Sequence, residues 1–195
     1  MTAMAQDNYV VLDIETRNSF QSVGAYDASK LQVSCVGVYT SHDDQFVCFA
    51  ESELDKLWPL LENSSRVVGF NLYGFDYLVL QQYYSGQINK LPTLDMLAEF
   101  KKAMSFRIKL DTLAQETLGV GKSGDGLQAI RLWEQGKLKE LYAYCLDDVK
   151  ITRDLFLQGR DKGVVYYPNN GTRKTWMVDW EYKQPPSSDI LTLPF

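Results

Sequence analysis

Hydrophobic positions along the chain fall into short blocks separated by polar and glycine-bearing stretches. The first block, Tyr9-Val10-Val11-Leu12, runs into Asp13-Ile14-Glu15-Thr16 and predicts a buried strand that ends in two acids. Residues 16–30 are polar, contain Gly24 and predict a loop. Residues 31–40 alternate and are rich in strand formers, so they predict a second strand. Ser41-His42-Asp43-Asp44 predicts a hairpin turn, and residues 45–50 the return strand. Ser52 is placed to cap a helix over 53–62, whose Leu54, Leu57, Trp58, Leu60 and Leu61 fall mostly on one face. A short strand follows at 66–71, then a helix at 74–84, a strand at 91–96 leading into a helix to 104, and a helix at 110–118 that stops at Gly119. Residues 119–126 form a glycine-rich loop, 127–134 a short helix ended by Gly136, and 137–158 the longest helix. Residues 164–168 and 173–180 predict a hairpin around Asn169-Asn170-Gly171. The proline-bearing tail, 184–195, predicts no regular element.

Strands alternate with helices after the first hairpin. The expected fold class is therefore α/β, with a central mixed β-sheet flanked by helices and a C-terminal β-hairpin. No internal repeat or linker divides the pattern. One domain over 1–195 is expected, with its core at about 9–160 and the hairpin and tail at 164–195.

The acids add chemistry to this pattern. On a strand, residues two apart project to one face, so Asp13 and Glu15 point the same way. Two like charges crowded at a buried strand end cost free energy unless a cation lies between them. By itself, this stretch reads equally well as a strand entering a solvated turn. Asp76 follows Gly69-Phe70-Asn71-Leu72-Tyr73-Gly74-Phe75, in the first turn of a helix. There the macrodipole and free N–H groups favour a carboxylate, and simple capping accounts for it as well. The longest helix is more informative. At about 100° per residue, Asp148 shares a face with Leu141, Tyr144, Cys145, Thr152 and Leu155. Asp147 falls with Glu140 and Asp154 and is expected in solvent. Asp148 is expected on an inward apolar face, where a carboxylate must be paired, protonated or metal-bound. An internal salt bridge or a Tyr–Asp hydrogen bond is the competing account.

Composition narrows the classes. The chain has 195 residues, 45% hydrophobic and 23% charged, which is globular. No apolar run approaches the roughly 18 residues of a membrane span, and residues 1–8 lack the basic and apolar regions of a signal peptide. Cys35, Cys48 and Cys145 are far apart in sequence and embedded in apolar segments, so they predict buried free thiols and a cytoplasmic protein. With no CxxC pair and His42 the single histidine, a Cys/His zinc site is not expected. The net charge of −5 argues against a module that holds nucleic acid by charge alone. It leaves room for a metal-dependent nuclease, whose acids are balanced by bound cations.

If Asp13, Glu15, Asp76 and Asp148 converge, they form an all-oxygen site suited to Mg²⁺ or Mn²⁺. Two such ions about 4 Å apart can activate water and stabilise the leaving oxygen of a phosphodiester. Tyr144, one helical turn from Asp148, could then hydrogen-bond that water. Asp-Ile-Glu-Thr at 13–16, Asn71 with Phe75-Asp76, and Tyr144-x-x-x-Asp148 together resemble the three motifs of the DEDD (DnaQ-like) 3′–5′ exonucleases. The wording is closest to the proofreading domains of family-B DNA polymerases and their stand-alone relatives. The resemblance covers about residues 9–160 and implies a ribonuclease H-like fold. Tyrosine at 144, with Ala143 where the other subtype has histidine, implies the tyrosine subtype. It further implies that Asp13 bridges two divalent ions, that Glu15 and Asp148 complete the first site, and that Asp76 holds the second, directly or through water. Tyr144 would orient the nucleophilic water, and Thr16 and Asn71 would lie near the terminal nucleotide. The implied activity is 3′–5′ exonucleolytic release of nucleoside monophosphates, with single-stranded DNA the expected partner. An exoribonuclease of the same chemistry, or a non-catalytic nucleic-acid-binding domain, is the alternative. No partner protein and no membrane are implied.

Other signals are weaker. Gly119-Val120-Gly121-Lys122-Ser123 lacks the first glycine of a phosphate loop and follows a helix rather than a strand. Arg107, Lys109 and Lys122 read as a solvated surface; Phe20 and Tyr73 could stack on bases, but core packing or chance exposure is the expected reading for each alone; Asp95 and Asp111 read as helix caps.

Overall fold

The structure is a computed structural model that describes residues 7–121 and 127–183. Most of the expected glycine-rich loop, Lys122 included, and the tail from 184 lie outside the described residues. Five strands, β1 (Tyr9–Thr16), β2 (Val33–Thr40), β3 (Gln45–Ala50), β4 (Arg66–Gly69) and β5 (Thr93–Asp95), form one sheet in the order β3-β2-β1-β4-β5. β1, β2 and β3 pair antiparallel, whereas β1–β4 and β4–β5 are parallel. β1 thus stands at the centre, between the antiparallel and parallel halves.

Alternation along β1 sends its side chains into two layers. Val10, Leu12 and Ile14 pack with Leu57 and Leu61 of α1 (Leu57–Glu62) and Val79 and Leu80 of α2 (Asp76–Leu80). Tyr9 and Val11 face the other way. They pack with Phe100 of α3 (Met96–Met104), Leu113 of α4 (Leu110–Leu118), and Val149 and Phe156 of the long helix α6 (Leu138–Lys162). Asp13 and Glu15 continue this second row. Helix α5 (Gln128–Glu134) packs on α6.

The C-terminal hairpin, β6 (Val164–Asn169) and β7 (Thr172–Met177), belongs to the α6-side core. Its turn carries positive φ at Asn170 and Gly171, the conformation that an Asn-Gly hairpin favours. Phe100 meets Tyr167 and Trp176 edge-on, and the Thr117 hydroxyl bonds both the N–H and the carbonyl of Tyr166. The Arg66 guanidinium stacks over Phe156, pairs with Asp7 at 2.6 Å and donates to the Trp180 carbonyl, tying β4 to both ends of the described chain.

Several boundaries differ from the sequence expectation. Ser52 does not cap a helix. β3 runs directly into a 3-10 turn at Glu51–Lys56, where the Glu53 carboxylate accepts the Ala50 N–H; α1 begins only at Leu57. Pro59 has no N–H to offer to the turn before it. The helix expected over 74–84 shortens to α2, because the Gln81 side-chain amide donates to the Tyr84 and Gly86 carbonyls and the Gln82 amide to the Val79 and Leu31 carbonyls. α6 continues past Gly159 to Lys162 and ends at Gly163, where φ is +67°. A Cβ at Gly159 would collide with Trp180, so tertiary packing overrides the helix-breaking tendency of this glycine. β7 stops at Met177 rather than at 180, because its partner strand starts at Val164, opposite that residue.

Candidate active site

β4 leaves the sheet after pairing only with Tyr9, Val10 and Val11, so β1 projects beyond it. In open α/β sheets, clefts form at such carboxyl ends, where neighbouring chains diverge. The cleft here is about 220 Å³ and is lined by Asp13, Ile14, Glu15, Thr16, Phe70, Asn71, Phe75, Asp76 and Asp148. The Asp13, Glu15 and Asp148 carboxylates each offer an oxygen, and these oxygens lie within 4.8 Å of one another. Asp148 is 3% exposed and Asp76 4%, while Asp147 lies on the exposed side of α6. All four acids expected to converge therefore line one cleft, three of them as a tight cluster.

The fold explains each position. Asp13 and Glu15 share a face of β1, and α6 crosses that face to bring in Asp148. Gly37, opposite Asp13 on β2, permits the approach: a Cβ there would lie 2.8 Å from both Cys145 Sγ and Val149 Cγ2 of α6. The Cys145 thiol donates to the Asp13 carbonyl at 3.7 Å. Asp76 opens α2. Burial pushes its carboxyl up to about 8, Asp95 adds to the rise, and N–H groups of Asp76 and Ile14 partly oppose it.

Asp95 has a second role beyond the expected helix cap. Its carboxylate accepts the Leu97 and Ala98 N–H groups at the start of α3, as a cap does. It also accepts the Asn71 N–H at 2.8 Å and the Tyr73 N–H at 3.1 Å, so it holds the cleft wall between β4 and α2. Asn71 takes a left-handed φ of 73°, and its side-chain oxygen accepts from Arg107 at 3.1 Å. Sequence reasoning found the capping half of Asp95; the long-range half becomes visible only once β4 and β5 are known to be neighbours. Asp111 does not occupy the cap position of α4, which falls to Lys109; it lies in the first turn.

Thr16 lines the cleft, and its hydroxyl donates to the Asn18 carbonyl at 2.9 Å. Tyr144 is buried on the α6 face that carries Asp148 and packs with Ala129, Leu132 and Leu141. Phe20 stacks on the exposed Tyr26 and meets Phe75 of the cleft edge-on. Cys35, Cys48 and Cys145 are not disulfide-bonded, but their sulfurs converge to within 4.8 Å of one another. The sequence spacing carried no sign of this cluster. Hydrogen bonding and burial within this cluster raise the Cys35 and Cys145 thiols, whereas hydrogen bonds from those two lower the Cys48 thiol.

A family model of the RNase H superfamily matches residues 10–157. The chain belongs to the RNase H superfamily. Among solved structures, this RNase H-like chain is similar to the family B DNA polymerase from the hyperthermophilic archaeon Pyrobaculum calidifontis, at 19% identity and a TM-score of 0.57. The match covers 81% of this chain and 24% of the polymerase, so the chain spans about a quarter of that protein's length. No curated protein matches it in sequence. An all-oxygen donor set in an RNase H-like fold suits a hard divalent cation. Among the described residues, no helix is long and apolar enough to cross a membrane.

Proposed function

We propose that this RNase H-like chain is a metal-dependent 3′–5′ exonuclease of the DEDD class, tyrosine subtype, acting on single-stranded DNA. The observation that carries this reading is the convergence of the Asp13, Glu15 and Asp148 carboxylates in the cleft that Asp76 also lines. Three carboxylates so close repel one another, and a divalent cation relieves that repulsion. Asp13, Glu15 and Asp148 would hold one Mg²⁺ or Mn²⁺, and Asp13 with Asp76 a second. Such ions supply a water acidified toward neutrality and charge neutralisation at the scissile phosphodiester.

The chain's own residues do the rest. Asp13 projects from the central strand into the cleft that Asp76 and Asp148 also line, and burial of Asp148 and Asp76 keeps bulk water off the inner side. Tyr144, one turn before Asp148, orients the attacking water through its hydroxyl. Thr16 and Asn71 line the cleft where a terminal nucleotide would enter, and Arg107 beside Asn71 offers a cation to its phosphate. Products leave as nucleoside monophosphates.

The test uses matched DNA and RNA oligomers labelled at the 5′ end, with Mg²⁺ or Mn²⁺. The expected result is a ladder shortening from the 3′ end, faster on DNA. A ladder on RNA alone would reassign the sugar preference. No degradation with either ion, or wild type indistinguishable from Asp13→Ala, would contradict the proposal and favour a binding module.

A further inference from the structure

Beside the acids, on the same sheet face, lies a second donor cluster of different chemistry. In the register of β1, β2 and β3, Glu15 pairs with Cys35 and Asp13 with Gly37, and Gly37 in turn pairs with Cys48. Paired residues share a face, so the two cysteines look toward α6 as the two acids do. α6 meets them with Cys145, three residues before Asp148. We propose that Cys35, Cys48 and Cys145 form a three-thiolate site for a soft divalent cation, Zn²⁺, distinct from the hard-ion site in the cleft.

Geometry supports a shared ion. Zinc–thiolate bonds are about 2.3 Å, so three sulfurs around one zinc lie about 4 Å apart. The three sulfurs here are already within 4.8 Å of one another, so side-chain adjustments of under an ångström would close the site. A Cys35–Cys48 disulfide fits less well. The direct partner of Cys35 is Ala50 and that of Cys48 is Gly37, so the two cysteines are diagonal across β2 and β3. Diagonal neighbours sit about 7–8 Å apart, beyond the usual disulfide range. The setting is also that of a zinc-thiolate site. Cys35 and Cys145 are fully buried beside Ala129, Leu132 and Leu141, and the partly exposed Cys48, with Tyr142 beside it, leaves a way in. Gly37 leaves the space into which the Cys145 sulfur fits.

Donor chemistry separates the two sites. Thiolates select soft cations, and carboxylates select Mg²⁺ and Mn²⁺. Binding replaces three S–H protons, released to solvent, with three S–Zn bonds. The bound ion would join β2, β3 and α6, and so brace the helix that carries Asp148 and Tyr144.

The experiment uses the full chain, reduced with a phosphine and freed of metal with a chelator. Zn²⁺ is added at one equivalent, and X-ray absorption at the zinc edge reports its first shell. Sulfur scatterers at about 2.3 Å are expected. A shell of oxygen and nitrogen alone would overturn the proposal. In parallel, Cd²⁺ titration should give a thiolate-to-metal charge-transfer band saturating at one ion per chain. Asp13→Ala should retain that band, and Cys48→Ser, at the partly exposed corner, should bind Cd²⁺ at least about tenfold more weakly. No band in the wild type, or equal affinity in Cys48→Ser, would also overturn it.

Discussion

The carboxylate cluster and the thiol cluster are built alike but present different chemistry. Each takes two donors from the central sheet and one from α6, and each gathers its donor atoms within 4.8 Å. They sit in adjacent columns of one sheet face, and the Asp13 carbonyl touches the Cys145 thiol between them. The acids lie where β1 outruns β4 and the sheet opens into a cleft. The thiols lie on β2, β3 and α6, among apolar side chains. The backbone sets the convergence, and the side chains set which cation can use it. A sheet face crossed by a helix is thus a general device for gathering three donors.

The largest effect expected should separate the clusters. Asp13→Ala should lower nuclease turnover by at least about 10³-fold. In chelator, the same variant should stay folded, with a change in Tm far too small to account for that loss. Turnover on an end-labelled strand and Tm without metal check both halves. A loss of stability matching the loss of activity would make Asp13 structural and break the contrast.

The next effect is a pH slope. Asp76 has an ordinary value of 3.8 and is raised to about 8 in the fold, chiefly by burial. Between those values the folded chain keeps a proton that the unfolded chain has lost, so metal-free stability should fall by several kcal/mol as pH rises through that window. Above the folded value the contribution is gone. Mn²⁺ should displace the proton and flatten the slope, as should Asp76→Asn. Urea midpoints measured across the window, with chelator and with Mn²⁺, test this.

Asp95→Ala removes the acceptor of four backbone N–H groups, two of them in the cleft wall. It should cost about 2–4 kcal/mol in urea unfolding and lower activity through displacement of Asn71. Gly37→Ala acts on both clusters through one atom, since the added methyl meets Cys145 and Val149. About 1–3 kcal/mol of destabilisation is expected, with Mn²⁺ and Zn²⁺ binding weakened together. Weakening of only one would show that α6 does not couple the sites.

The two clusters also differ in how legible they are in sequence. A buried charge is anomalous, so Asp148 on an apolar helix face stands out without any structure, and it turns the half-buried acids at the end of β1, ambiguous by themselves, into its expected partners. A cysteine on an apolar face looks like any small core residue, and only strand register reveals that Cys35, Cys48 and Cys145 meet. The fold follows the same rule. The β1 pattern, the hairpin turn at Asn170-Gly171 and the stop at Gly119 are local and readable. The continuation of α6 through Gly159 depends on Trp180, and the second role of Asp95 depends on the β4–β5 pairing, so neither is visible locally.

The most direct test of the central claim, that the clustered acids are a hard-cation site, is a count of bound Mn²⁺ by electron paramagnetic resonance. Wild-type protein should take up Mn²⁺ tightly, and Asp13→Ala and Asp148→Ala should each abolish that uptake. Asp147→Ala, on the exposed side of the same helix, should leave it intact. Uptake in Asp13→Ala equal to that of wild type would contradict the account.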